Sequence, residues 1–291
     1  MQDNPINKTT MKKIFLLFSL LLGVLSAWAY DVKLDGIFYN LDKENKTASV
    51  ASYSYYKGAV VIPETISVDG KAYTVTSLGE NCFSGCWGLT SITIPNSVTR
   101  IGDYCFSSCD GLESIVVESG NTVYDSRENC NAIIETATNT MLSGCRNTTI
   151  PNSVTSLGGY CFWGCSGLTS ITIPNSVTSL GRYCFYGCSG LTEVHANRET
   201  PPATGSGIFE ACYSLQTIYV PTGASANYDI DPWNAYKIVE EDVLSGITAV
   251  TVKGETVAPV YHLNGSRAGT TKSFSTQPKG IYIMNGKKVL R

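Results

Sequence analysis

The sequence predicts a mainly β chain: a right-handed β-solenoid with coils of about 23 residues, followed by a small C-terminal β-hairpin or sandwich tail. Three observations carry this expectation. A leucine-led pattern recurs at near-constant spacing, with Leu89 and Leu112 23 residues apart, Leu168 and Leu191 again 23 apart, and Leu215 24 after Leu191. Each recurrence alternates apolar and polar residues, as a half-buried strand does. Only 15% of residues are charged, below the roughly 25% of an average soluble domain, which argues against a solvated helical surface or a charged disordered tail.

The N-terminal 29 residues read as a leader. Met11-Lys12-Lys13 is a positive start, Ile14 to Leu25 an apolar run, and Ala27-Trp28-Ala29 a small-x-small cleavage site. Residues 1–29 are therefore expected to be a signal peptide cleaved after Ala29, with Met11 as an alternative start of translation. The apolar run is short of the roughly 20 residues a membrane helix needs. The first cysteine is Cys82, so an exported chain that is not a lipoprotein is expected. No later segment is apolar enough to span a membrane.

Residues 30–58 are expected to cap the solenoid. From 59 to 242 the coils follow, the first of them stretched, with Val60-Val61-Ile62-Pro63 and Ser77-Leu78-Gly79. In Leu89 to Pro95, Ile92 and Ile94 point one way and Thr93 the other, and Pro95 ends the strand because it cannot donate to a central ladder. Val98 and Ile101 begin the second side, Gly102 turns, and Phe106 fills the core. One coil cannot bury its apolar face alone, so neighbours are expected to stack at about 4.8 Å. The 56 residues between Leu112 and Leu168 exceed two coils, and the excess includes apolar runs on either side of Ala137-Thr138-Asn139. An inserted hairpin is expected near 130–145. A closing cap is expected over 215–242.

At these residues the sequence resembles the BspA-type leucine-rich repeat family of bacterial surface proteins. The carriers are the L-x-x-I-x-I-P-x-S-V-T-x-[IL]-G-x-x-C-F-x-x-C units from about 60 to 214, and Tyr219-Val220-Pro221 resembles the start of the family's closing cap. The resemblance implies a cell-surface solenoid that adheres to proteins or to other cells. It departs where family units commonly carry alanine and this chain has Cys82, Cys105, Cys161 and Cys184.

Eleven cysteines in an exported chain invite a disulfide reading. Cys82, Cys105, Cys161 and Cys184 form one column; Cys86, Cys109, Cys165, Cys188 and Cys212 form another. Stacking brings α-carbons within bridging range, while parallel side chains aim the sulfurs poorly. Buried thiols and a partial set of disulfides both fit, with Cys130 and Cys145 the leading pair. The C-x-x-x-C spacing without an accompanying histidine does not suit a zinc site, and no metal or other cofactor is expected.

Only His195 and His262 occur, and neither has an acidic partner patterned nearby. No G-x-S-x-G, H-E-x-x-H, phosphate-loop or EF-hand motif is present. The chain reads as a non-enzyme. With a net charge of −3 and no more than two consecutive basic residues, it lacks the electrostatic footprint of a nucleic-acid binder.

Two surfaces are candidates for a protein or glycoprotein ligand, in a host matrix or on another cell. The outward strand column reads Val61, Thr93, Val116, Thr149, Thr172, His195, Tyr219, flat, uncharged and threonine-rich. An edge column reads Tyr104, Tyr160, Tyr183, with Trp87, Trp163, Tyr186 and Tyr213 beside it, either as a contact strip or as shielding of the coil edge. A surface spacer, a glycan-binding module and a carbohydrate-active enzyme are the competing readings; the sequence leaves ligand and oligomeric state open.

In residues 243–291, Val260 to Leu263 and Ile281 to Met284 each run into an Asn-Gly pair, the signal of a hairpin. Lys287 to Arg291 suits a charged edge strand. The stretch Pro278 to Arg291 resembles the C-terminal sorting domain of type IX secretion cargo, which implies surface delivery or anchoring.

Overall fold

A computed structural model describes residues 30–53 and 55–241, and beyond them the backbone of short strands between Val250 and Leu290. The leader expected over 1–29 and the Asn264-Gly265 and Asn285-Gly286 turns lie outside the described residues. The chain divides into two units, Met1–Ser126 and Arg127–Arg291.

In the first unit the strands are β1 (Val32–Leu34), β2 (Ile37–Asp42), β3 (Thr47–Val50), β4 (Gly58–Val61), β5 (Thr65–Val68), β6 (Lys71–Leu78), β7 (Leu89–Ile94), β8 (Arg100–Ile101), β9 (Ser114–Val117) and β10 (Tyr124–Asp125). β4, β7 and β9 run parallel on one side of the coils, with Ile92 opposite Ile115. β3, β6 and β8 run parallel on the other. An antiparallel meander, β1–β2–β3, closes that second sheet.

In the second unit β11 (Ala132–Glu135) and β12 (Thr140–Gly144) form an antiparallel hairpin. Its turn uses Asn139 at φ 54°, a left-handed conformation that asparagine tolerates. There follow β13 (Ser156–Leu157), β14 (Ser170–Ile173), β15 (Ser179–Leu180), β16 (Glu193–Ala196), β17 (Ala203–Thr204), β18 (Thr217–Pro221) and β19 (Lys237–Glu241). β12, β13, β15 and β17 stack in parallel on one side. β14, β16, β18 and β19 stack on the other. The hairpin thus supplies, through β12, a rung of the same sheet as the regular coils. Two 3-10 turns, Ser225–Tyr228 and Trp233–Ala235, close the unit by burying Tyr228 and Trp233.

The local chemistry repeats with the sequence. Pro95, Pro151 and Pro174 end the strand side, and their carbonyls accept from the amides of Val98, Val154 and Val177. The glycine after the second side is required by close approach. A β-carbon on Gly102 would stand 2.4 Å from the Glu80 nitrogen, and one on Gly181 2.3 Å from that of Gly159. Those contacts are shorter than any side chain tolerates, so the leucine–glycine or isoleucine–glycine pair is a stacking requirement. Exposed threonines tie coil to coil: Thr178 Oγ1 donates to the Thr155 carbonyl at 3.1 Å and Thr192 Oγ1 to that of Thr169 at 3.0 Å.

Phenylalanines fill the interior as a stack. Phe83 lies 5.4 Å from Phe106 at 4° in the first unit. In the second, Phe162 lies 5.1 Å from Phe185 at 10°, and Phe185 5.7 Å from Phe209 at 22°. Trp233 ends this stack edge-on to Phe209 at 5.4 Å. Each such buried ring contributes about 1.5–3 kcal/mol relative to exposure, and because each rests on the next, stability adds coil by coil.

Past residue 249, β20 (Val250–Val252) and β21 (Glu255–Val257) pair antiparallel. β22 (Pro259–His262), β23 (Arg267–Thr270), β24 (Ile281–Met284) and β25 (Lys287–Leu290) form an antiparallel sheet in the order β23-β22-β24-β25. β25 is an edge strand of it.

Candidate binding surfaces

The edge column begins with a backbone demand. The residue before each first-column cysteine has positive φ: Asn81 at 54°, Tyr104 at 56°, Tyr160 at 62°, Tyr183 at 53°. Gly207, at 66°, holds the same place in the coil that carries Ile208 instead of cysteine. Asparagine and glycine accept this conformation readily, whereas a bulky side chain meets a steric cost of about 1–2 kcal/mol. Tyrosine in three of the five positions is thus against backbone preference.

In the second unit these tyrosines gather a cluster. Tyr160 and Tyr183 stack at 5.8 Å and 15°, and Trp163 lies 4.5 Å from Tyr186. Trp163 also packs at 5.1 Å from Tyr160 and 5.8 Å from Tyr183. The Arg182 guanidinium lies 5.0 Å over the Tyr160 ring. All four rings are half-buried. Tyr104, in the first unit, is half-buried in the same turn position. Trp87 and Tyr213 do not belong to this line. Each directly follows a second-column cysteine, while Trp163 and Tyr186 precede theirs by two residues. They project into solvent, 70% and 87% exposed.

The strand column is in register where it lies in strands. Val61, Thr93 and Val116 are adjacent in the first unit, and Thr172, His195, Tyr219 and Val239 in the second. Thr149 is exposed but lies outside any strand. In the second unit the face is not uncharged, and His195 does have acidic partners. Its Nδ1 lies 2.7 Å from Glu241 Oε1 and its Nε2 3.6 Å from Glu193 Oε1. Its ring stacks on Tyr219 at 4.6 Å and 8°. Glu241 escaped sequence reasoning because 46 residues separate it from His195 and its strand belongs to the closing cap. Glu193 shares His195's strand and face, which alternation alone could have shown.

All eleven cysteines are buried free thiols. In the first column Cys82 and Cys105 Sγ lie 3.3 Å apart. In the second, Cys109, Cys188 and Cys212 donate to the carbonyls of Phe83, Phe162 and Phe185 at 3.0, 3.1 and 3.0 Å. Cys145 donates to the Asn131 carbonyl, at 3.3 Å. Burial pushes Cys86 up to about 11 and Cys109 well above the ordinary thiol range, so at neutral pH these are inert donors and not nucleophiles. Among the described residues no three His, Cys, Asp or Glu side chains gather as a metal site. No helix among them is long and apolar enough to cross a membrane.

No curated protein matches this sequence. Among solved structures, the chain is similar to a leucine-rich repeat protein from Bacteroides ovatus, at 20% identity over 66% of this chain and 71% of that one, TM-score 0.34. It is similar to another from Eubacterium ventriosum, at 24% identity over 52% and 47%, TM-score 0.37. A leucine rich cell surface protein from Faecalibacterium prausnitzii is 17% identical over 65% and 70%, TM-score 0.30. The BspA type leucine rich repeat region matches in six copies, over residues 45–141 and 139–227. With more than half its length matched and its coils in the register described above, the chain belongs to the BspA-type leucine-rich repeat family.

Proposed function

We propose that this protein is an exported, surface-displayed binding protein without catalytic activity, and that it adheres to a protein or glycoprotein through the aromatic edge of its coils. The observation that carries the reading is the cluster of Tyr160, Trp163, Tyr183 and Tyr186, of which Tyr160 and Tyr183 sit on turn positions where the backbone favours asparagine or glycine. Tyrosine and tryptophan supply large contact area at low entropic cost and dominate interface hot spots. The face-to-face packing of Tyr160 on Tyr183 favours a protein partner over a glycan. A sugar ring needs an open aromatic face, and these faces cover one another while their edges remain for a peptide surface. The leader-like residues 1–29 support export, and the segment from Pro278 to Arg291, similar to type IX sorting domains, supports delivery to the surface.

Binding of the full processed chain to immobilised matrix glycoproteins, glycans and bacterial surface proteins tests the reading, with a Tyr160→Ser/Tyr183→Ser variant alongside. Saturable binding to a protein ligand that the double variant loses is the expected result. Binding unchanged in a folded variant moves the site away from the edge, and absence of binding across the panel favours a spacer.

A further inference from the structure

The two sheets of the first unit end differently at their N-terminal side. The sheet containing β6 is closed by the β1–β2–β3 meander. The sheet of β4, β7 and β9 simply stops at β4. β4 is bonded on one side: the Gly58 amide donates to the Gly88 carbonyl at 2.7 Å and the Ile62 amide to that of Thr93 at 3.0 Å. In a parallel ladder alternate residues face opposite edges, so the main-chain N–H and C=O of Ala59 and Val61 face away from β7. Beside that edge lies a groove of about 700 Å³, bordered by the β1–β2 turn, β5, and the loop carrying Tyr53 and Tyr55. This is within the size range of about 300–1,000 Å³ for ligand sites.

We propose that this groove takes an extended segment of a partner protein, which adds a strand to the free edge of β4. The site is separate from the aromatic edge and does not depend on it. Main-chain pairing with Ala59 and Val61 supplies the anchor, as in other strand-addition sites. The groove walls select the side chains. Tyr39 and Ile66 form an apolar floor, and Tyr53 packs on Phe38 at 4.1 Å with Tyr55, 76% exposed, edge-on to it at 5.4 Å. Lys33 and Lys57 against Asp35 leave the lining net positive. The segment that fits has β-branched or aromatic residues at alternate positions and an acidic residue near Lys57, which directly precedes the strand. This chemistry disfavours the chain's own last strand, which opens with Lys287-Lys288. Lys57 and Pro63 bracket the open stretch, which limits it to one short strand and protects it from open-ended sheet growth.

The test is selection of a displayed random-peptide library on the full processed chain, followed by fluorescence anisotropy with the enriched peptides. Val61→Pro removes only an amide that faces the groove and leaves the bonds to β7, a place where an edge strand tolerates proline. Lys57→Glu reverses the charge. Enriched peptides are expected to be acidic with alternating apolar residues, to bind the parent chain at least about tenfold tighter than Val61→Pro, and to weaken on Lys57→Glu. Thermal unfolding of both variants controls for their fold. The proposal is overturned by no enrichment over the Val61→Pro background, or by peptides that bind both proteins equally. It is overturned as well by sedimentation showing a dimer that Val61→Pro dissolves, since the groove would then belong to a second copy.

Discussion

Cys109 donates its thiol hydrogen to the main-chain oxygen of Phe83 at 3.0 Å, a bond between residues 26 apart in the sequence and in successive coils. Cys188 with Phe162 and Cys212 with Phe185 repeat it. Each of these carbonyls also accepts a backbone amide, from Cys86, Cys165 and Cys188 in turn. These second-column thiols therefore each add a second hydrogen bond to a carbonyl that is already paired, a role beyond filling space. One such neutral bond contributes about 0.5–1.5 kcal/mol. Cys188→Ala should lower stability by about 1–2 kcal/mol once the lost volume is included. Cys188→Ser keeps a donor and should lose less. Urea denaturation midpoints of the two variants check this; equal losses would reduce the cysteine to packing alone.

Alkaline pH should destabilise the fold before it modifies anything. A thiol whose folded pKa is raised binds its proton more tightly when folded, so its contribution is complete below the unfolded value of about 8.5 and disappears as pH rises through the folded one. For Cys86 that upper limit is about 11, set mainly by burial, and Tyr39 and Tyr228, each at about 12, act in the same sense. Urea midpoints measured from pH 7 to 11 should be flat at first and then fall, with thiol alkylation following unfolding. A midpoint that rises over this interval contradicts the assignment.

Gly144 ends the second strand of the hairpin, where a β-carbon would stand 2.2 Å from Phe162 Cε1. Both residues are buried, so neither can retreat into solvent. Gly144→Ala should cost about 1–3 kcal/mol through overpacking, and calorimetry should show a lower Tm. A substitution without effect would mean that the phenylalanine stack can slide, against the close packing of the core.

Tyr183→Asn exchanges a strained turn residue for the one that Asn81 already supplies at the same point of another coil. Relief of the left-handed strain, about 1–2 kcal/mol, offsets the loss of ring contacts worth about 0.5–1.5 kcal/mol beyond area. Stability should stay within about 1 kcal/mol of the parent while ligand binding falls. A chemical denaturation curve and a binding isotherm on one preparation separate the two effects.

The repeat was legible because every coil imposes the same demands: Ile92 and Ile94 inward, Pro95 at the strand end, Gly102 where another coil passes at van der Waals distance. These are local requirements that each copy restates. The hairpin could be located from Ala137-Thr138-Asn139, but not that Thr140 to Gly144 would rejoin the stack, since that pairing is between Met141 and Leu157 across an irregular stretch. The edge tyrosines were legible as a column, but the division between the packed Trp163 and Tyr186 and the projecting Trp87 and Tyr213 depends on which side of a turn each occupies. The partnership of His195 with Glu241 and the open edge of β4 were not legible, because both belong to the ends of a stack, where the period stops constraining the chain.

One socket, at the turn before the first cysteine, is filled by asparagine, tyrosine or glycine without a change of backbone. Mutation at that point alters what the coil shows to its surroundings and leaves the scaffold intact. Contact chemistry can therefore drift coil by coil, and a lineage carrying this chain can change what its edge presents without passing through an unfolded ancestor.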